Sequence, residues 1–212
     1  MAMLHLNGYG APKIRTASFV SSVCMPIPSS RLTQQIAIVF AVALSWVCLD
    51  LIKHNYFEFL QVNDFQYSIY WLSAIRLLFI ILFGWLGALG LFIGYFIGGV
   101  FIREFSVEIA LSLGLISALT PLLAFNLWKR LTGLSNNFKN VRLGALLLLV
   151  LLHSAFTSTA RAVYFYITDI DRNLTFFWAD FLANFVGAIL VLYLLKLGNW
   201  AFKASKEVFK QQ

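Results

Sequence analysis

The chain has 212 residues, of which 60% are hydrophobic, 17% aromatic and only 12% charged, and its mean hydropathy is +0.81. A soluble domain of this length could not bury so much apolar surface, so the composition excludes a soluble globular protein and indicates an integral membrane protein in a lipid bilayer. The net charge of +7 at pH 7 follows the membrane topology, and no nucleic-acid partner is expected.

The first 33 residues are polar and rich in proline, and we predict a flexible or interfacial N-terminal tail over 1–33. The stretch before Pro28 is too short and too mixed for a secretory signal, and Met25 is an alternative start. Cys24 and Cys48 have no metal-binding or redox spacing, so no disulfide is expected.

Five hydrophobic stretches follow, and a span needs about 20 mostly apolar residues. The stretch Ser68–Ile102 is too long for one span, and Gly84–Gly87 is the natural break between two helices. A single long tilted helix there, which would give five spans, is the alternative. The sequence therefore predicts an all-α bundle of six transmembrane helices within 34–196, with spans at 36–56, 68–84, 87–102, 107–127, 141–167 and 175–195.

The basic residues separate between the two ends of these spans. One end carries the N-terminal tail and the basic residues Lys129, Arg130, Lys139, Arg142, Lys196, Lys203, Lys206 and Lys210. The loops at the other end have a slight acidic excess and hold Lys53, Glu58, Asp64, Arg103, Glu104, Glu108, Asp169, Asp171 and Arg172. The positive-inside rule then predicts a bacterial inner-membrane protein with both termini in the cytoplasm. With five spans, the basic segments would fall on both sides of the membrane, against this rule.

After the last span, apolar residues recur at helical spacing with lysines on the opposite face over 197–212. This pattern predicts a basic amphipathic tail in the inner membrane interface. A docking segment for a cytoplasmic protein partner is the alternative.

Four charged residues lie inside predicted spans: Asp50, Arg76, Arg161 and Asp180. A charge in hydrocarbon costs at least about 2.5–3.5 kcal/mol, so such side chains face the protein interior or a wet cavity. The helical rise places all four in one layer of the outer half of the membrane. We expect Arg161 to pair with Asp180, and Arg76 with Asp50.

Polar residues extend this layer along two helices. His153, Thr157 and Arg161 are spaced i, i+4, i+8 and share one face, as do Asp180 and Asn184 on the last span. These faces predict a polar pocket that opens outward, with the histidine near its floor, for a small-molecule ligand. Structural pairing between helices, or a proton or ion path, are the alternatives.

Glycines dominate the second and third spans and are assigned to helix packing. At i, i+4 spacing they let helices approach closely, either within the chain or as a homodimer seam. They are Gly84, Gly87, Gly90, Gly94 and Gly98. The sequence contains no phosphate-binding loop, metal-ligand cluster or nucleophile motif, so neither an enzyme nor a cofactor is expected.

Two stretches resemble the MASE1 family of membrane sensor domains. The first is YWLSAIRLL at 70–78, followed by LFGWLG and FIG, and the second is FWADFLANFVG at 177–187. The resemblance covers about 65–195, although Leu72 stands where the family usually has proline and the family commonly has more spans than six. It implies a sensory module, here without an output domain of its own.

The sequence thus favours a sensory or ligand-binding membrane module with a protein partner. Two other classes fit the same pattern: the substrate-capture subunit of a small-molecule importer, and a structural or assembly subunit of a larger membrane complex.

Overall fold

The computed structural model describes residues 29–63, 65–133, 143–170 and 174–210, with only the helical backbone described over 195–210. The predicted all-α fold is confirmed, with one short hairpin added. Outside the described residues lie 1–28 of the N-terminal tail and Asp64, Lys139, Arg142, Asp171 and Arg172. The elements are α1 (Ser29–Tyr56), β1 (Gln61–Asn63), β2 (Gln66–Tyr67), α2 (Leu72–Phe83), α3 (Trp85–Phe101), α4 (Val107–Thr132), α5 (Leu143–Ile167) and α6 (Leu174–Lys210), with a 3-10 turn at Glu58–Leu60.

Four of the described helices, α1, α4, α5 and α6, are long and apolar enough to cross a membrane. The other two are shorter: α2 has 12 residues and α3 has 17, so they extend about 18 Å and about 25 Å. A hydrocarbon core is about 30 Å thick. The count of six full spans therefore stays a prediction.

The bundle exposes apolar side chains and buries polar ones. Phe40, Leu123 and Leu182 on three different helices are each more than half exposed, whereas His153 and Asn184 are fully buried. Water would penalise this distribution and a lipid environment favours it. The apolar helices thus indicate a membrane-embedded protein.

Successive helices run in opposite directions. Gly90 of α3 lies on Val42 of α1 and Gly98 lies on Asp50, so these two helices are parallel. Since α2 connects them, it must run the opposite way, and the chain reverses at Gly84 with a φ of 56°. Only glycine adopts this backbone conformation without strain. The reversal argues against one long helix over 68–102.

The remaining helices continue the alternation. Trp128 near the end of α4 donates to the carbonyl of Ala145 near the start of α5 (2.5 Å). Phe165 near the end of α5 packs on Phe176 near the start of α6, with ring centroids 4.8 Å apart. All six helices therefore have one end near the β-hairpin, which we call the hairpin end.

The second helix begins deep in the bundle. It starts at Leu72, four residues later than predicted, because the preceding backbone bonds to α6: Tyr70 N–H donates to Ala183 O (3.0 Å), and Gly187 packs on the Tyr70 carbonyl. These two α6 residues lie nine and thirteen positions after Leu174, about 14–20 Å along the helix. Residues 57–71 thus occupy the space that the first half of a full-length helix would fill.

The last helix also differs from the prediction. α6 continues without a break to Lys210, so the backbone of the predicted interfacial tail is helical and continuous with the last span. The side chains of that tail lie outside the described residues.

The glycines of α3 pack within the chain. A Cβ added to Gly94 would lie 2.8 Å from Ala43 O and 2.9 Å from Trp46 Cβ, and Gly90 and Gly98 are equally close to α1. Gly87 packs on the backbone of Phe79 in α2. Of the two predicted uses of these glycines, intramolecular packing is the one formed, and α1 occupies the face that a homodimer seam would need.

We expect Gly94→Ala to lower the stability of the fold by about 1–3 kcal/mol, because the added methyl overlaps α1. Gly144→Ala is the matched control: it lies on α5 with no atom within 4 Å of the added Cβ, and it should be neutral or stabilising by up to about 1 kcal/mol. Thermal unfolding in detergent measures both. Equal melting temperatures would contradict the tight packing of α3 on α1.

Candidate functional site

A first ion-pair cluster joins α1 to the segment after α3. The guanidinium of Arg103 donates to both carboxylate oxygens of Asp50, with Nε at 3.1 Å, and donates to Tyr95 Oη (2.9 Å). Lys53 Nζ lies 2.9 Å from the same carboxylate, one turn further along α1. Asp50 is fully buried, so its charge is compensated within the protein by two cations.

A second cluster joins α5, α6 and the hairpin. Arg161 donates to Asp180 and to the backbone carbonyl of Phe65. Ser158 Oγ donates to the other carboxylate oxygen (2.8 Å), and Asn184 Nδ2 donates to it at 3.2 Å. Three partners on two helices thus hold Asp180, and one of them also anchors the hairpin. The predicted pairing of Arg161 with Asp180 is confirmed.

The predicted pairing of Arg76 with Asp50 is wrong. Arg76 donates instead to Asn184 Oδ1 (3.1 Å) and Ser117 Oγ (3.4 Å), while its Nε is buried without a partner. Asp50 is satisfied by Arg103, which lies closer to the hairpin end. Among the described residues, Arg76 therefore has neutral partners only.

The two clusters surround a small enclosed cavity of about 10 Å³, which is room for about one water molecule. Tyr67, Tyr70 and Tyr95 contribute to its wall, and burial raises the pKa of Tyr67, so its hydroxyl stays protonated. The basic residues that line it come from four different parts of the chain: Lys53, Arg76, Arg103 and Arg161.

A larger cleft of about 580 Å³ lies on the hairpin side of this cavity. The cleft and the cavity share four lining residues, Phe65, Tyr67, Arg103 and Phe105, which therefore form a partition between them. Phe65 from the hairpin stacks on Phe105 from the segment after α3, with ring centroids 5.1 Å apart. A movement of the hairpin would open the cavity to the cleft.

The predicted site residues divide into three groups. Arg76 and Arg161 line the cavity, as the pocket hypothesis requires, while Asp50, Asp180 and Asn184 lie behind them as hydrogen-bond or ion-pair partners. His153 and Thr157 form a separate buried layer and are absent from the cavity wall.

That separate layer connects α4 to α5. His153 Nδ1 lies 3.4 Å from Thr157 Oγ1, which is 2.9 Å from Thr120 Oγ1. His153 is therefore not among the residues that line this cavity, and its place at the floor of a larger pocket stays a prediction.

Sequence reasoning missed Lys53 and Arg103, which it assigned to loops. Lys53 lies inside α1 and is 2% exposed, and its Nζ sits 4.4 Å from the ring centre of Tyr67. Its spacing of three residues from Asp50 was a usable signal, because i, i+3 pairs share a helix face. Nothing in the sequence pairs Arg103 with Asp50, since that contact joins α1 to the segment after α3.

The arrangement is suited to binding. Among the described residues, no group of three or more His, Cys, Asp or Glu side chains could hold a metal ion. Charged and hydroxyl donors converge on the cavity. Because the site is largely shielded from water, they would bind a hydrogen-bond acceptor strongly.

We expect Arg161→Ala to lower the stability by up to about 3–5 kcal/mol, because it leaves Asp180 buried without a cation and removes the bond from Arg161 to the Phe65 carbonyl. The exchange Arg161→Asp with Asp180→Arg should restore part of this loss, since it re-forms the pair but not the bond to the Phe65 carbonyl. Thermal unfolding in detergent compares the variants. If both melt like the parent, the pair contributes nothing to the fold.

Comparison with known protein families, with curated proteins and with solved structures found no match for this chain. The resemblance to MASE1 sensor domains therefore stays a prediction from the residues that carry it.

Proposed function

We propose that the chain is a membrane-embedded binding module of sensory type, which takes a small ligand from the outer side of the bacterial inner membrane. The observation that supports this most strongly is the polar cavity beneath the hairpin, separated from an open cleft by a partition of only four residues. Ion pairs that only held helices together would need neither a cavity nor a cleft above it.

The connections of the hairpin favour sensing. Its carbonyl at Phe65 is bonded to Arg161 of α5, and the segment that follows it is bonded through Tyr70 to Ala183 of α6 before entering α2. A ligand that displaces the partition must therefore move a segment attached to three helices. Such a shift would carry the signal to the end of the bundle opposite the hairpin, where most of the basic residues lie, and a protein partner would receive it there.

The substrate-capture subunit of an importer is the second candidate. An apolar groove of about 570 Å³ runs between α1 and α3 on the outside of the bundle, and it includes Phe40, Leu44 and Ile97. A transmembrane helix of an energising subunit would fit this groove. The glycine face of α3 is covered by α1, so it could not serve this purpose.

The proposal requires the hairpin end to face outward. With Cys24 and Cys48 both changed to Ser, we expect Val62→Cys to react with a membrane-impermeant maleimide on spheroplasts. Leu131→Cys, at the other end of the bundle, should react only after permeabilisation. Val62 and Leu131 are similarly exposed, at 61% and 60%, so access to reagent alone decides the result. The reverse pattern would place the cavity on the cytoplasmic side and contradict the proposal.

The ligand itself can be sought by native mass spectrometry of protein extracted in native lipid particles. We expect the parent to retain a non-protein mass and Leu113→Phe to lose it, because Leu113 is buried in the cavity wall. Leu111→Phe is the matched control, since it adds the same volume on the lipid-facing side of α4, where Leu111 is 43% exposed. A stoichiometric companion protein without any small-molecule mass would favour the assembly-subunit class instead.

A further inference from the structure

The charge around the cavity is unbalanced. Four basic side chains line it, whereas the buried carboxylates among the described residues are Asp50 and Asp180, each already engaged in ion pairs. With all four basic groups protonated, two positive charges have no carboxylate to balance them. Glu104, which lines the cleft, is exposed and lies beyond the partition, where solvent weakens its effect.

The basic groups also have unused hydrogen-bond donors. Arg76 Nε and Arg161 Nε are both buried without a hydrogen-bond partner. Lys53 Nζ lies 2.9 Å from one oxygen of Asp50, which accounts for one of its three N–H donors, and Lys53 and Arg76 are each only 2% exposed. A buried donor without an acceptor is costly, and more so when it is charged. Such groups are tolerated where something else supplies the acceptor.

Aromatic rings compensate these cations only in part. Lys53 lies over Tyr67 at 4.4 Å, and Arg76 lies over Tyr70 at 4.8 Å from the ring centre. A buried cation–π contact contributes less than the cost of an uncompensated charge in the membrane interior.

We propose that this cavity binds the oxyanion group of a small ligand, a carboxylate or a phosphate, whose remaining part stays in the cleft. Three guanidinium groups and an ammonium suit such a group, because guanidinium pairs with two oxygens at once. The inference rests on the proposed function and names its ligand class. The cavity holds about one water molecule, so entry of the oxyanion requires the Phe65–Phe105 partition to move.

The polar cleft favours a water-soluble source for this anion. Besides the partition it is lined by His54, Gln61, Ile102 and Glu104, which are mostly polar residues of the hairpin end. A phospholipid headgroup presents the same phosphate chemistry from the bilayer. The two sources share one binding site and differ in how the anion reaches it.

Lys53→Met is the most informative variant. It removes one cation and keeps the length of the side chain, while Asp50 retains its two bonds from Arg103. If the positive charge is in excess, the variant without added anion should melt at the same temperature as the parent or higher. A lysine that only stabilised the fold would behave oppositely, because its loss would lower the melting temperature.

The experiment measures thermal unfolding in neutral detergent with sodium phosphate, sodium acetate or sodium chloride at equal ionic strength. We expect phosphate or acetate, compared with chloride, to raise the melting temperature of the parent by several degrees. In Lys53→Met and in Arg76→Gln the apparent affinity should fall at least about tenfold. Arg130→Met, an exposed charge at the other end of the bundle, should respond like the parent.

A second arm identifies the source. The same variants are compared in vesicles of zwitterionic lipid alone and in vesicles that also contain phosphatidylglycerol. Stabilisation that depends on Lys53 and appears only with phosphatidylglycerol would support the site with a lipid source, and stabilisation by soluble phosphate or acetate would support the free anion.

The inference is overturned if neither soluble anions nor anionic lipid stabilise the parent through Lys53, or if Lys53→Met lowers the melting temperature and leaves the anion response intact. The proposed function has a separate test. A ligand mass lost in Leu113→Phe, together with no anion response, would keep the binding module and reject the oxyanion.

Discussion

Everything at the hairpin end depends on one constraint: backbone groups at membrane depth must be paired within the protein. Residues 65–71 connect the hairpin to α2 beside α6, and several of the bonds that satisfy the backbone here also tie elements together. Ser68 N–H donates to Leu60 O across the hairpin (2.8 Å), Tyr70 N–H donates to α6, and Arg161 donates to Phe65 O. Because α2 is short, there is room for this segment, and the segment closes the cavity.

The placement of charge follows from the same geometry. A full-length second helix would have filled more of the bundle at the hairpin end. Its replacement by a hairpin leaves a space that basic residues from α1, α2, the segment after α3, and α5 reach together. Two carboxylates neutralise part of this charge and fix the positions of Arg103 and Arg161, since each ion pair is buried and has additional hydrogen bonds.

The sequence predicted local features well and contacts between helices less well. Hydropathy and charge were sufficient for the all-α bundle, and the chain reversal at Gly84 followed from its glycine. The pair Arg161–Asp180 was predictable because α5 and α6 are joined by a short connection, which fixes their mutual depth. The partner of Asp50 was not, because Arg103 follows α3 and no sequence spacing relates it to α1. The late start of α2 was equally hidden, since the largely apolar stretch 68–71 is compatible with a helix and only the structure shows its bonds to α6.

The charge excess also determines the direction in which a ligand would move the bundle. Four cations around one small cavity repel each other. Because they belong to α1, α2, α5 and the segment after α3, this repulsion pushes these four elements apart. The N-terminus of α2, two residues after Tyr70 in the cavity wall, adds the positive end of a helix dipole. A bound anion would reverse the sign of these interactions and draw the same elements together. Binding should therefore contract the hairpin end, and α2 and α3, which meet at Gly84, would carry the contraction towards the opposite end of the bundle.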